Sequence, residues 1–366
     1  MHRISARSIP AAIFTVALLL AHHSVCAQQS AAPAAVPTPS PAPQGQPEGR
    51  LARWIDLQTV TFSLRYRLVE NSSGVTTASQ LQHNEAIKGR FKFDSGGKYS
   101  INFGVFSGNN FIGSWNNTGA GTGSPFTNLY LKQLYFSARP IRGVEFQYGG
   151  LYVQRGESTE ITTYDNDAYL TGERLVLKRP KELFLDEISV TYAYLGDISS
   201  PGLNKRYHRL KEANYHQFLV GKQLRRAAVS VDYTFVAGAE TMREAVKLNT
   251  PELRVVDSVR FENYQRADVN PAYGFSLAGE KVLRKRLTLG GGIADIDRNY
   301  GGLNSDRFNR GRRLFASGSY LISPSFSVST FYSRSVGNDY AISNRTRFDL
   351  VFSYHLLPAL QRLKIF

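Results

Sequence analysis

The chain has 366 residues, of which 42% are hydrophobic and 12% aromatic, enough for one large β domain or two ordinary ones. Its single cysteine, Cys26, excludes a disulfide framework and a thiolate metal site. The formal net charge of +15 suggests an anionic partner, but the sequence contains no nucleic-acid-binding motif, so nucleic acid is excluded as that partner. Abundant Gly, Tyr and Phe favour strands over helices.

The N-terminus is typical of a secretory signal peptide. Arg3 and Arg7 precede an apolar run, residues 9–21, that is too short to span a bilayer. The small residue Ala27 follows and marks the expected cleavage site. We therefore predict that residues 1–27 are removed on export, which leaves a formal net charge of +13.

A segment with almost no apolar surface follows the signal peptide. Residues 28–50 consist almost entirely of Ala, Pro, Gln, Ser, Thr and Gly, a composition that favours extended, solvated conformations. We predict that this segment is a disordered periplasmic tether. The remaining residues, 51–366, are predicted to form one folded domain.

Apolar and polar residues alternate with a period of two through this domain, which predicts β-strands. In the stretch 218–235, two alternating halves flank a short polar link at residues 223–227, as in an antiparallel hairpin. Similar short links recur along the chain, at residues 94–98, 139–143, 178–184, 282–286 and 322–325. Longer polar connections separate them. Short turns at one end and long loops at the other are typical of an outer-membrane barrel, whose closure leaves no unpaired strand edge in lipid.

Six hairpins and one strand at each end of the domain predict a closed antiparallel transmembrane β-barrel of about 14 strands, an all-β fold in the bacterial outer membrane. The segment 253–264 is also strand-like. One extra strand, however, would move the basic turn at residues 282–286 to the extracellular side, and Asp257 would lie on a lipid-facing surface. We therefore expect residues 237–271 to form a loop, with 16 strands as the alternative.

Residues 237–271 would be the longest loop of such a barrel. Thr241 and Glu244 form a capping-box pattern ahead of an apolar turn and predict a short helix there. This loop is expected either to fold over or into the pore or to lie on the cell surface.

This pattern of strands, turns and loops resembles the porin-like outer-membrane β-barrel proteins of Gram-negative bacteria. The resemblance covers residues 51–366 and is one of pattern, without a specific motif. Phe366 is similar to the C-terminal aromatic residue that such barrels present to the outer-membrane barrel assembly machinery; the alternative is that residues 357–366 form a periplasmic tail. The resemblance implies outer-membrane lipid as the surroundings, small hydrophilic solutes as cargo and no cofactor, and it leaves open a homo-oligomer.

Cationic side chains that share the inward parity of their strands are expected to line the pore and to favour anions. They are Arg65, Arg67, Lys88, Arg90, Lys92 and Arg347. Other residues, mostly in the third long loop, are candidates for a constriction or for solute contacts. They are Arg155, Glu157, Glu160, Tyr135 and Tyr164.

The sequence therefore predicts a passive, anion-preferring channel for small hydrophilic solutes. One alternative is a substrate-specific channel for sugars or oligosaccharides, in which Trp115, Phe126, Tyr135 and Tyr164 would stack on the solute. Another is a structural or adhesive barrel without transport. We predict no enzymatic activity and no metal site, because the histidines of the mature chain have neither metal-ligand spacing nor a catalytic constellation.

Overall fold

The computed structural model of the chain describes residues 53–108, 113–159, 169–178, 184–195, 212–236, 238–266, 272–297, 311–336 and 345–362. The predicted signal peptide and tether lie outside these ranges. Within them, no helix is long and apolar enough to span a bilayer.

Seventeen strands occupy most of the described residues. In chain order they are β1 (Ile55–Glu70), β2 (Thr76–Lys92), β3 (Tyr99–Ser107), β4 (Asn116–Gly121), β5 (Leu129–Ala138), β6 (Val144–Tyr152), β7 (Tyr169–Leu177), β8 (Glu187–Tyr194), β9 (Tyr215–Gln223), β10 (Ala227–Val236), β11 (Ala239–Asn249), β12 (Ser258–Arg266), β13 (Ala272–Leu283), β14 (Leu287–Ile296), β15 (Gly311–Ser323), β16 (Phe326–Ser335) and β17 (Thr346–His355).

Hydrogen bonding closes the sheet into a barrel. Strands pair antiparallel with their neighbours along the chain, and β1 also pairs with β17, where Tyr66 lies opposite Leu350. The short strand β4 is an exception, because it pairs with Gln80 to His83 of β2 while β3 pairs directly with β5. The wall therefore contains sixteen strands. The predicted closed barrel is confirmed; its count of fourteen is wrong, and the alternative of sixteen is correct.

The two strands missing from the predicted count are β11 and β12. They fill most of residues 237–271, which we expected to form a long loop with a helix. Because two strands are added and not one, the basic turn at residues 284–286 stays at the same end of the barrel. Asp257 lies in the turn before β12, outside the lipid-facing surface, and its carboxylate accepts a hydrogen bond from Lys281 Nζ at 2.6 Å.

The capping pattern within β11 has a different structural explanation. Glu244 lies on the outer face of the strand, opposite Asn263 of β12, whose side-chain amide donates a hydrogen bond to the Glu244 carboxylate at 3.3 Å. Thr241 lies on the inner face and is buried opposite Thr234. Polar groups on the outer face interrupt the apolar alternation, and this interruption made the segment resemble a loop.

The two faces of the wall differ in composition. Large apolar residues are exposed on the outer face of successive strands, among them Phe62, Tyr66, Phe91, Phe146, Leu175, Val190, Phe218, Tyr233, Leu277, Leu314, Tyr332 and Phe352. The inner face carries mainly charged, amide and hydroxyl side chains, many of them buried. An apolar exterior on a closed barrel is the surface that a lipid bilayer requires, and it places the protein in a bacterial outer membrane.

The long connections, at residues 108–128, 153–168, 195–214, 297–310 and 336–345, all lie at one end of the barrel, which is therefore the extracellular end, and the opposite end is periplasmic. Both ends of the wall, Ile55 of β1 and His355 of β17, lie there as well. The chain continues from β17 into a short helix, Leu357–Arg362, so β17 is the closing strand. Phe366 lies outside the described residues.

Carboxylates hold two of the periplasmic turns. Asp94 accepts hydrogen bonds from the backbone N–H groups of Tyr99 at 2.8 Å and Lys98 at 3.1 Å, and these bonds lower the pKa of Asp94. The hydrogen bond from Lys281 is the main cause that lowers the pKa of Asp257. Both turns are therefore stabilised by an ionised carboxylate.

The turn between β13 and β14 contains strained backbone. Arg284 and Lys285 have positive φ angles of 50° and 58°. Residues other than Gly, Asn and Asp rarely adopt positive φ angles, because the Cβ atom then approaches the following carbonyl oxygen.

Candidate functional site

Residues 153–159, here called the inner segment, follow β6 and lie inside the barrel. Gln217 of β9 donates a hydrogen bond from its side-chain amide to the carbonyl oxygen of Gln154 at 2.9 Å. Further along, the N–H of Glu157 donates to the hydroxyl of Ser230 on β10 at 2.8 Å. The inner segment therefore leaves the wall at β6 and crosses the inner surface of β9 and β10.

One carboxylate of β12 holds the end of the inner segment. Glu262 has no exposed surface and accepts two hydrogen bonds from Thr159, one from the N–H at 2.9 Å and one from the hydroxyl at 2.5 Å. Hydrogen bonds to an ionised acceptor are about twice as strong as neutral ones. We infer that Glu262 fixes how far the segment extends around the lumen.

A glycine allows the inner segment to lie flat against the wall. Gly156 has a φ of +58°, and a Cβ atom at this position would be 2.7 Å from the Ser230 side chain and 3.0 Å from that of Leu219. A larger residue would push the segment towards the lumen. The inward residues of β10, from Ala228 to Val236, are correspondingly buried.

Arginines cluster on the inner wall where β1 and β17 meet. Asp349 lies at the centre, 3.0 Å from Arg67 Nε, 2.6 Å from one terminal nitrogen of Arg347 and 3.9 Å from one of Arg65. Arg313 of β15 is buried on the same inner wall, two strands from Arg347. These four guanidinium groups and Asp349 are here called the arginine cluster, and cations predominate in it.

A tryptophan from a connection between strands covers Arg65 on the inner face of the wall. Trp115, in the connection between β3 and β4, places its ring centroid 4.0 Å from the Arg65 guanidinium carbon, a cation–π contact. Arg65 also donates two hydrogen bonds to Gln82 Oε1, at 2.9 and 2.5 Å. Trp115, a candidate for stacking on a solute in the alternative of a sugar channel, thus has one ring face occupied by an arginine.

The inner segment and the arginine cluster lie on opposite sides of the lumen. Strand β10, which binds Glu157, is eight strands from β1 in either direction around the ring of sixteen. The Glu157 carboxylate accepts a hydrogen bond from Gln223 at 3.0 Å and lies 3.9 Å from Arg260. The lumen is therefore bounded on one side by the strongly cationic arginine cluster and on the other by the inner segment. The Glu157 carboxylate of that segment already has an amide and a guanidinium group as neighbours.

The inner wall becomes more exposed towards the periplasm on the side of the arginine cluster. Along β15 the inward residues change from buried Arg313 through partly buried Phe315 to exposed Ser317 and Ser319. On β10, by contrast, every inward residue is buried beside the inner segment. The open space on the periplasmic side therefore follows the wall of β15 to β17.

Three predicted pore residues lie below the arginine cluster on the inner face of β2. Arg90 is 2.8 Å from Asp56 of β1, its partner in the strand register. Lys88 Nζ is 5.0 Å from the ring centroid of Phe106. Lys92 is the last residue of β2, at the periplasmic end.

The structure separates the remaining predicted residues. Tyr135 lies on the inner face of β5 with its ring centroid 6.1 Å from that of Tyr152, and Arg155 lies in the inner segment. The N–H of Phe126 donates to the carbonyl oxygen of Asn117 in the connection after β4. Two further predicted residues lie outside the described residues, namely Glu160 and Tyr164.

Several buried inner charges were missed by the sequence analysis. Asp232 and Arg243 are register partners whose charged groups are 3.8 Å apart. The strand parity that selected Arg347 could have found Asp232, because it alternates with the apolar residues of β10. Arg243 and Glu262 could not be found in this way, because both lie in the segment that was predicted to be a loop.

No protein-family model matches the chain, and comparison with curated proteins gives no match either. Solved structures do match. OmpF of Salmonella typhi, in a complex with daunomycin, has a TM-score of 0.53 and 12% identity over 82% of this chain and 97% of OmpF. A mutant of the Rh. blastica porin has a TM-score of 0.52 and 10% identity over 82% and 99%. OprB of Pseudomonas putida at low pH has a TM-score of 0.52 and 10% identity over 83% and 93%.

At this level of identity the likeness shows the fold. The predicted resemblance is confirmed: this chain is a sixteen-stranded outer-membrane barrel with the porin fold.

Proposed function

We propose that this protein is an outer-membrane channel for the passive diffusion of small hydrophilic solutes and that it prefers anions. The arginine cluster is the observation that carries the proposal, because three guanidinium groups lie within 3.9 Å of the Asp349 carboxylate and that of Arg313 is buried on the same inner wall of a closed barrel. Clustered charges of one sign in a narrow, low-dielectric passage raise the local concentration of counter-ions. Anions are favoured in this passage.

The inner segment supports a narrow passage. It is held by Ser230 and Glu262 on the side of the barrel opposite the seam between β1 and β17. We place the constriction between the segment and the arginine cluster, with Arg155 and Glu157 at its edge. A constriction of this kind would limit the size of the solute as well as its charge.

The basic residues of β2 extend the positive field towards the periplasm. Lys88, Arg90 and Lys92 follow one another on the inner face of that strand, and Asp56 offsets the charge of Arg90. An anion that leaves the constriction would therefore pass a second set of cations before it reaches the periplasmic mouth.

Reversal potentials across planar bilayers under a potassium chloride gradient test the proposal. Chloride is expected to be more permeant than potassium, and Arg67→Gln should reduce the ratio of chloride to potassium permeability. The matched control is Arg312→Gln, which removes an exposed arginine from the outer face and should leave the ratio unchanged. A preference for potassium would overturn the anion preference. A folded barrel without conductance would overturn the channel and favour a structural or adhesive role.

A further inference from the structure

We propose that the inner wall beside the arginine cluster is a binding site for acidic sugars, that is, ring-shaped polyols that carry a carboxylate or a phosphate. The inference rests on the proposed channel and names its preferred class of solute. Three kinds of group follow one another along the inner faces of β15 to β17, from the extracellular towards the periplasmic end. Guanidinium groups come first, aromatic rings next and hydroxyl groups last.

The aromatic rings form a platform on the wall. Phe315 of β15 and Phe331 of β16 pack against a buried apolar cluster that includes Tyr264 and Ile296, and both phenylalanines remain partly exposed. A Cβ atom at Gly292 would lie 2.8 Å from Phe315 Cζ, so the absent side chain leaves room for the ring against β14. Apolar and aromatic side chains with a few convergent polar groups are the usual lining of small-molecule sites.

A strip of hydroxyl groups lies on the periplasmic side of the platform. Ser317 and Ser319 are the next inward residues after Phe315 on β15, and both are exposed. Ser329 of β16 is the register partner of Ser319 and lies one inward position below Phe331. Each hydroxyl can donate one hydrogen bond and accept two, so the strip can match sugar hydroxyls in several orientations.

The arginine cluster lies on the other side of the platform. Arg313 is the inward residue before Phe315, and the guanidinium carbon of Arg347 is 5.7 Å from the Phe331 ring centroid. Arg313 and Arg347 are buried, so they attract an acid group mainly through their field, whereas the Arg67 side chain keeps 14% of its surface exposed. Arginine matches the geometry of both carboxylates and phosphates.

The order of these groups distinguishes an acidic sugar from simpler solutes. A neutral sugar would contact the platform and the hydroxyl strip without using the positive field. A small inorganic anion would use the field and neither of the other features. A sugar acid or sugar phosphate whose ring lies on Phe315 and Phe331 would engage all three.

Four solutes test this reasoning. Glucose has the ring and the hydroxyl groups, cyclohexanecarboxylate has a ring and a charge, and glucuronate and glucose 6-phosphate have all three features. Binding is measured by titration calorimetry on the folded barrel in detergent, and separately as the block of the chloride current in bilayers. We expect an acidic sugar to bind about tenfold more tightly than glucose or cyclohexanecarboxylate. Comparison of glucuronate with glucose 6-phosphate identifies the preferred acid group.

Two variants locate the site. Phe315→Ala should abolish the tenfold preference, whereas the control Phe352→Ala removes a ring from the outer face and should change neither the preference nor the reversal potential. Should Phe315→Ala fail to fold, the double variant Ser317→Ala, Ser319→Ala alters only exposed small residues. It should reduce the affinity for glucuronate to that for cyclohexanecarboxylate.

Equal affinity for glucuronate and cyclohexanecarboxylate would overturn the site, because a ring and a charge would then explain binding without the hydroxyl strip. Equal affinity for glucuronate and glucose would overturn it as well. The channel can fail independently: preferential calorimetric binding without any current would overturn the proposed channel and retain the site. Current without preferential binding would overturn the binding site and retain the channel.

Discussion

Arg67 of β1 and Asp349 of β17 are register partners across the seam that closes the barrel, with Arg67 Nε 3.0 Å from the carboxylate. The same carboxylate lies 2.6 Å from Arg347 and 3.9 Å from Arg65. Asp349 therefore joins the first and last strands and also offsets part of the charge of the arginine cluster. One group therefore contributes both to the stability of the seam and to the charge of the pore.

Replacement of Asp349 by asparagine should separate these two roles. Removal of one partner from a buried ion pair typically costs about 3–5 kcal/mol, so we expect Asp349→Asn to lower the free energy of unfolding in urea. Because the cluster becomes more positive, the chloride preference should increase. Asp295→Asn, which removes an exposed ion pair with Arg312 on the outer face, is the control and should cost about 0–1 kcal/mol. Equal losses in the two variants would contradict the central role of Asp349.

Loss of the Glu262 carboxylate should release the inner segment. Glu262→Ala leaves the N–H and hydroxyl of Thr159 without their acceptor, at a cost of about 1–3 kcal/mol if they stay buried. We expect the end of the segment to detach and the single-channel conductance to increase. Ser276→Ala is the matched control, because Ser276 is the fully buried register partner of Glu262 on β13. An unchanged conductance in Glu262→Ala would show that the segment is held by other contacts.

The periplasmic turns should make stability depend on pH. The pKa values of Asp94 and Asp257 are lowered from their ordinary value of 3.8 in the folded protein. Their contribution to stability is therefore fully present above that value and is lost as the pH falls through the lowered pKa. Resistance to urea should decrease between about pH 5 and about pH 2, and the double variant Asp94→Asn, Asp257→Asn should show a smaller decrease. Identical pH profiles would count against these two carboxylates.

Relief of the strained turn should stabilise the barrel. Lys285 has a φ of 58°, and the left-handed region costs a residue with a Cβ atom about 1–2 kcal/mol. Lys285→Gly should therefore raise the urea concentration at which half of the protein is unfolded. The neighbouring Arg286→Gly is the control, because Arg286 does not have a positive φ and glycine only adds unfolded-state entropy there. A lower midpoint for Lys285→Gly would show that its side chain contributes more than the strain costs.

Much of the barrel could be predicted from alternation. Val220 and Val231, in the two halves of the hairpin at residues 218–235, are register partners in β9 and β10, as the pattern indicated. The pattern failed in β11, where Glu244 lies on the outer face and accepts a hydrogen bond from Asn263 of β12. Alternation detects a strand only when each face has one kind of residue. The stretch of β12 did look strand-like, but without β11 it would have been a single extra strand that moved the basic turn to the other end of the barrel.

The candidate site was predictable only in part. Parity selected Arg65, Arg67 and Arg347, because each alternates with apolar residues within one strand. The inner segment depends instead on contacts with Ser230 and Glu262, which are 73 and 103 residues from their partners. A local pattern does not contain such distant contacts, so the docking of the segment could be found only from the structure.

The distance between Thr159 and Glu262 also constrains the assembly of the barrel. The inner segment lies between β6 and β7, whereas its acceptor lies on β12, five strands after β7 along the chain. Until both β6 and β12 have joined the sheet, the end of the segment has no place to dock. An assembly intermediate without β12 should therefore have a wider passage, which narrows only when the segment reaches Glu262.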